Sequence, residues 1–292
     1  MGKYIRDELQ DTYGILQLQD KILEIMVYID EFCKEHGITY YLMGGSALGA
    51  IRHNGFIPWD DDLDIFMDHE NYCKFLNLCE EHLDKKRFYL QREDTEELPY
   101  FFSKLRMNDT LCIDSVRPKS KKINPHQGIF VDIMCLNKAA KGKFGKKVQY
   151  YAAGLLKARS VGKTTYKANS FKKKVQICIA NCAVWGPVKK FLLYIVRKYN
   201  KKSSTEYAHI FGRAKFENSF YPIEDFNGQR YVPFEKVNLA VPNGVENYLT
   251  IRYGSNYMDM PDEKTKAIYK GHAMIWDVGI DKEDVLQKNL VE

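Results

Sequence analysis

Residues 138–202 contain no aspartate and no glutamate, while 18 lysines and arginines fall within them. The whole chain carries +6 at neutral pH, so everything outside that segment sums to −12. An acidic body thus bears one strongly basic segment. A block of this kind predicts a polyanionic partner: nucleic acid, an anionic membrane or a charged polymer. Long apolar runs are also missing. No stretch reaches the roughly 18 consecutive apolar residues of a spanning helix, which predicts no ordinary transmembrane segment. The opening MGKYIRDELQDTYG is polar and mixed in charge, which predicts no secretory leader. Arg6 stands where an N-myristoylation site requires Ser or Thr. No C-x-x-C pair occurs among the seven cysteines. That spacing disfavours zinc and a disulfide framework, and predicts buried free thiols in a reducing, cytoplasmic compartment.

What is present describes a folded protein. Hydrophobic residues make up 45% of the 292 and charged residues 28%, enough for a sizeable core in one large domain or two ordinary ones. Apolar residues recur at helical spacing from Ile15 to Cys33, and Gly37 follows as a C-cap, predicting a helix over 15–36. ITYYLM (38–43) reads as a strand, Ser46 to His53 as a short helix, and DDLDIFM (61–67) as an alternating strand. Asp68 is placed to cap a helix over 69–83. Strand-like pieces follow at 87–91, 100–107, 110–114 and 128–136, with a basic, turn-rich linker at 117–127. The basic segment reads as helical, with an apolar stretch broken at Gly186-Pro187. Beyond it, 231–244 offers two short strands and 245–254 a short helix. The order predicts an α+β fold, a mixed sheet with helices on its face.

Two motifs bear on chemistry. GGSALG follows a strand and opens a helix. Gly44 and Gly45 allow close backbone approach to a ligand, the helix start offers N–H groups to an anion, and Ser46 adds a hydroxyl. The spacing is neither a P-loop nor G-x-G-x-x-G. On a strand, Asp60, Asp62 and Asp64 would project together. Carboxylates so close repel unless a cation compensates. An EF-hand would place Gly and Glu where Ile65 and Asn71 stand, so Mg²⁺ (or Mn²⁺) bound by few carboxylates and by substrate phosphates fits better. GIFVDIMCL supplies Asp132, a lone acid within an apolar strand, which is costly unless paired or on a metal.

Strand, Gly-Ser turn, helix, D-x-D on a second strand and a separate acid on a later strand together resemble the DNA polymerase beta-like nucleotidyltransferase superfamily. GGSALGAIRHNGFIPWDDDLDI is similar to the LicD family, which includes bacterial phosphocholine transferases and is related to fukutin. FSKLR (102–106), HQGIFVDIMCLN (126–137) and VPNGVENYLTIRYGSNYMDMP (241–261) extend the resemblance over 20–137 and about 220–261. The implied organisation is a nucleotidyltransferase-like catalytic core (1–137), a basic, mainly helical insertion (138–202) and a C-terminal part completing the core (203–292).

The resemblance implies transfer of a phosphorylated alcohol, typically phosphocholine from CDP-choline, to a sugar hydroxyl of a cell-surface glycan such as teichoic acid, with CMP released. Asp62 and Asp64 would hold the metal against the diphosphate. Asp132 would complete the metal site and take the acceptor proton. Ser46 and the Gly44 and Gly45 backbone would hold phosphate, with Arg52, Lys104 and Arg106 neutralising its charge. His53 and His126 would position water or substrate, and Asp60 and Asp61 would ligate the metal or support its ligands. Trp59 either stacks on the base, covers the choline ammonium or simply packs. Another CDP-alcohol carrying ribitol, glycerol or sugar phosphate suits the same motif. No nucleic acid partner is expected. The glycan acceptor of such enzymes is commonly lipid-linked, which places the protein peripherally at the inner face of a membrane. A reading from another class is a non-catalytic membrane-surface binding protein, which needs neither intact Asp62, Asp64 and Asp132 nor metal-dependent release of CMP.

Overall fold

The computed structural model describes residues 11–120, 125–262, 266 and 273–279. Helix α1 (Leu16–His36) buries Leu18, Ile22, Ile25, Met26, Ile29 and Phe32, the face its periodicity marks. It stops at Gly37, whose left-handed backbone (φ 59°) suits glycine. There follow β1 (Tyr41–Leu42), α2 (Gly44–His53), β2 (Asp64–Asp68) and α3 (His69–His82). The Asp68 carboxylate accepts from the Asn71 N–H at 2.8 Å and caps α3. Next come β3 (Phe88–Gln91), β4 (Ser103–Met107), β5 (Leu111–Asp114) and β6 (Phe130–Lys138). The basic segment folds as α4 (Gly142–Gly162), α5 (Phe171–Ala183) and α6 (Gly186–Arg197). The remainder is β7 (Glu206–Ala208), β8 (Phe220–Pro222), β9 (Gln229–Phe234), β10 (Val237–Pro242), α7 (Val245–Tyr253) and β11 (Ala273–Asp277).

The main sheet runs β1-β2-β6-β4-β3, with β7 joined to the far end of β6 and β8 to β7. Only the β2–β6 pair is parallel; the other pairs are antiparallel, so the sheet is mixed. Pairs β9–β10 and β5–β11 form two further ladders. The principal core joins α1 and α3 to the sheet through Phe32, Phe75, Ile65, Met67, Ile133 and Leu105, and reaches Phe234, Leu239 and Tyr248 near the C-terminus. A second, smaller core gathers Ala153, Leu156, Ala180, Leu192 and Val196 of the basic helices with Phe101, Ala208 and Phe220.

Three local expectations change. The strand expected at 38–43 shrinks to Tyr41–Leu42, and α2 begins at Gly44 rather than at Ser46. The strand expected at 61–67 begins at Asp64, so Asp60 and Asp62 lie on the preceding loop and share no strand face with Asp64. The cause is a turn. The Asp60 N–H donates to Ile57 O at 2.9 Å, and buried Gln19 Nε2 donates to Asp60 O at 2.7 Å. This holds residues 57–60 curled, and regular pairing begins only where the strand ladder starts. Part of the linker at 117–127 lies outside the described residues.

Candidate active site

Strand register builds the first half of the site. Asp64 on β2 stands opposite Asp132 on β6, Lys104 on β4 faces Asp132 from the other side, and Gln91 on β3 faces Lys104. Opposite residues share a sheet face, so a polar row crosses four strands whose alternate residues, such as Ile65, Ile133 and Leu105, fill the core. Lys104 is buried, with Nζ 2.8 Å from Asp132 Oδ1 and 4.0 Å from Asp114 Oδ2. The same Nζ lies 3.2 Å from the Phe130 ring centroid, a cation–π contact in a desolvated setting. Burial raises the Asp132 carboxyl pKa, and Lys104 offsets only part of that rise.

The preceding loop supplies the second half. Asp60, Asp61 and Asp62 each bring a carboxylate oxygen within 4.8 Å of the others. Asp60 and Asp62 share a side-chain hydrogen bond. Asp61 is buried; its Oδ2 accepts from the Ala273 N–H of β11 at 2.6 Å, while Oδ1 has no hydrogen-bond partner among the described residues. Burial, and then the charge of Asp62, push Asp60 and Asp64 well above the usual carboxylate range. Crowded acids of this kind store repulsion that a hard divalent cation relieves. An all-oxygen donor set with one buried unpartnered oxygen fits Mg²⁺ or Mn²⁺.

The start of α2 forms the floor. A Cβ at Gly45 would stand 2.7 Å from Asp60 Oδ2, and one at Gly44 would stand 4.0 Å from Asp64 Oδ2 and 3.6 Å from the Tyr253 hydroxyl. Glycine at Gly44 also accommodates its positive φ of 52°. The acids therefore abut the positive end of a helix that has no side-chain cap. The Gly44 N–H donates to the Tyr248 hydroxyl at 2.8 Å. Ser46 Oγ accepts from the Asp64 N–H at 2.9 Å and so ties the helix to the first residue of β2.

Residues 37–116, which hold this helix, the acidic loop and Lys104, match the family model described as LicD/FKTN/FKRP, nucleotidyltransferase domain. The lipopolysaccharide cholinephosphotransferase LicD of Haemophilus influenzae is 27% identical over 256 residues, covering 83% of this chain and 90% of that protein. Residues 37–116 carry a LicD-family domain. The ribitol 5-phosphate transferase FKRP of human and of mouse is 40% identical over 55 residues, only 18% of this chain and 11% of FKRP.

In this LicD-type domain the remaining expected residues are engaged with protein partners. Arg52 donates to His53 Nε2 at 3.0 Å and to the carbonyls of Tyr257 and Asp259 at 3.1 and 3.0 Å, fastening the segment after α7. His53 is buried, and burial together with Arg52 pushes its pKa down to about 4, so it is neutral at pH 7. Trp59 packs edge-on to Tyr13 and His53, with Lys266 Nζ 4.9 Å from its ring centroid. Arg106 donates to Gln91 Oε1 at 2.7 Å and Gly128 O at 2.6 Å. His126 stacks on Tyr89, and its Nε2 lies 3.0 Å from Asn108 Oδ1. These contacts give Arg106 and His126 clear architectural work beside the polar row.

Four groups around the site escaped sequence reasoning. Tyr253 lies against Gly44, and its hydroxyl pKa is raised by burial and by Asp60 and Asp64. Tyr248 holds the Gly44 N–H. Arg213 is close enough to Asp64 to draw its pKa down, and Tyr100 senses Asp114, Arg213 and Asp132 together. The two C-terminal tyrosines lie inside VENYLTIRYG, where a motif without an assigned role was the available signal. Nothing in the local sequence marks Arg213.

Proposed function

We propose that this chain is a metal-dependent transferase that moves phosphocholine from CDP-choline to a sugar hydroxyl of a cell-surface glycan precursor, such as that of teichoic acid. The acceptor oxygen bonds to the phosphorus that carries choline, the bond from that phosphorus to the bridging oxygen of CMP breaks, and CMP leaves. One observation carries the reading: a crowded acid cluster set on a glycine-floored helix start, within a chain 27% identical over most of its length to a cholinephosphotransferase. The nucleotidyltransferase description of the matched domain supports the same fold reading.

Asp60, Asp61, Asp62 and Asp64 are the residues that would hold Mg²⁺ or Mn²⁺, which supplies positive charge against the donor diphosphate. Asp132, opposite Asp64 in the strand register and held by Lys104, would complete the metal site and accept the proton of the acceptor hydroxyl. Lys104 keeps that carboxylate oriented and balances its charge. Arg213 is exposed beside Asp64, placed to meet a phosphate. Gly44 and Gly45 let Asp60 and Asp64 approach the helix start, where the helix dipole favours negative charge.

The acid cluster and the helix start do not distinguish one phosphorylated alcohol from another. The FKRP match favours ribitol phosphate as a second reading over its short span. Incubating the purified protein with Mg²⁺, an acceptor glycan and a panel of CDP-alcohols, then measuring CMP, separates the two. Release from CDP-choline above CDP-ribitol and CDP-glycerol is expected. Preference for another CDP-alcohol would reassign the cargo, and no metal-dependent CMP from any of them would reject the transferase reading.

A further inference from the structure

Helix α5 is apolar yet nearly uncovered. Of its 13 residues only Ala180 is buried. At 100° per residue, Phe171, Val175, Cys178, Ile179 and Cys182 fall on one stripe, opposite Ala180. Phe171 is 81% exposed and Ile179 55%. Lys172 and Lys174 flank the stripe, both exposed. Helix α5 meets the helix that follows at 110°. At the elbow stands Trp185, 60% exposed, and α6 turns Phe191 and Tyr194 outward while burying Leu192 and Val196. An isolated 13-residue helix is marginal in water, and an outward apolar stripe adds cost rather than stability.

The elbow is firmly attached to the body near the site. Lys189 pairs with Asp94 at 2.7 Å and Arg197 with Glu93 at 2.6 Å, both on the β3–β4 connection. Before α5, Thr164 bridges Pro118 and hydrogen-bonds Tyr100, the phenol that senses Asp114, Arg213 and Asp132. A surface that met the α5–α6 face would therefore lie beside the polar row.

We propose that the outward face of α5 and α6 is a docking surface for an anionic lipid bilayer, entered by Phe171, Ile179, Trp185 and Phe191 to interfacial depth. Charge complementarity selects the occupant. Residues 138–202 hold 18 cations and no acid, and Lys163, Lys167, Lys172, Lys173, Lys174 and Lys190 are exposed around these helices. Each lysine near an anionic surface strengthens binding about fivefold. Aromatic residues flanked by lysines are the composition of a helix lying in a membrane interface. No single described helix is long and apolar enough to span; α5 and α6 reach that length and composition only as a pair bent by 110°, and the exposed lysines on both sides of the apolar stripe favour a contact at interfacial depth. The proposal does not depend on the transferase reading.

Sedimentation of the full chain with neutral phosphatidylcholine vesicles, and with vesicles containing phosphatidylglycerol, tests it. Binding to the anionic vesicles at low salt is expected, with release at high salt as charge is screened over roughly 8 Å at physiological ionic strength. Phe171→Ser with Ile179→Ser should weaken that binding at least tenfold, as should Lys172→Glu with Lys174→Glu, each with an unchanged circular dichroism spectrum. Negligible binding of the wild type to both vesicle types would overturn the proposal, as would vesicle binding that both double variants retain. A wild-type dimer in sedimentation velocity that Phe171→Ser with Ile179→Ser converts to monomer would assign the face to a second copy instead.

Discussion

Replacing Gly45 with alanine separates the site from the fold. The new methyl would stand 2.7 Å from Asp60 Oδ2 and 3.8 Å from its Cγ, so the carboxyl group must move. Nothing else is crowded: the next neighbour is Ile57 Cδ1 at 4.0 Å, an ordinary contact. Displacing Asp60 from its preferred rotamer costs about 1 kcal/mol. Alanine in place of glycine in the first turn of α2 returns at most ~1 kcal/mol of helix stability. The two nearly cancel, and the unfolding free energy from urea titration should shift by no more than about 1 kcal/mol in either direction. The site should respond far more. Asp60 would leave its hydrogen bond to Asp62 and its place among the three clustered acids. Displacing a metal ligand or its support costs roughly 10- to 100-fold in metal affinity. Mn²⁺ titration by electron paramagnetic resonance, CMP release and urea unfolding on the same preparation make the assay. Wild-type Mn²⁺ affinity and turnover in a folded Gly45→Ala protein would refute the assignment of Asp60 and the helix start to the site. Loss of the fold would refute the claim that the side chain of Asp60, rather than the backbone, yields.

Lys104→Met strands Asp132 in a buried setting and should destabilise the fold by about 3–5 kcal/mol, whereas Lys104→Met with Asp132→Leu should recover much of that in urea unfolding. Tyr248→Phe removes the acceptor of the Gly44 N–H and should cost about 1 kcal/mol by the same measurement. His209 is buried against Phe66 with neither ring nitrogen partnered among the described residues, and burial with Arg252 and Lys157 pushes its pKa down to about 3. Its folded pKa lies below the unfolded value of about 6.5, so the neutral ring's contribution is complete above pH ~6.5 and declines as pH falls toward 3. Between pH 7 and pH 5 this group alone should remove about 2 kcal/mol, and His209→Leu should flatten that slope; an unchanged slope would contradict the buried neutral ring.

Much of this was legible in local sequence because local physics decided it. The periodicity of α1, its Gly37 stop and the Asp68 cap rest on spacings within one or two turns. The Gly-Gly-Ser start of α2 after a strand follows equally from neighbours in sequence. The loop acids were found but placed on a strand, because the curl at 57–60 depends on Gln19, some 40 residues away. The register that sets Lys104 against Asp132 joins strands whose residues are 28 positions apart, and no pattern within either strand announces it. The sequence reading of Lys104 as a phosphate cation does not show its partner in the fold, Asp132, 2.8 Å from its Nζ. Tyr248 lies 204 positions from the glycine it supports, so its role appears only once α7 is docked. Arg213 sits in an irregular segment where neither periodicity nor capping constrains a side chain.

The central claim is that the acids of the loop and β2 carry out metal-dependent transfer. Its most direct test is the rate of CMP release from CDP-choline, in the presence of acceptor glycan, by the wild type and by Asp62→Asn and Asp64→Asn. Assays with Mg²⁺ and with EDTA should be run side by side. Release that requires Mg²⁺ and falls by orders of magnitude in both folded variants is predicted. Equal release with EDTA, or near-wild-type turnover in both variants, would contradict the account.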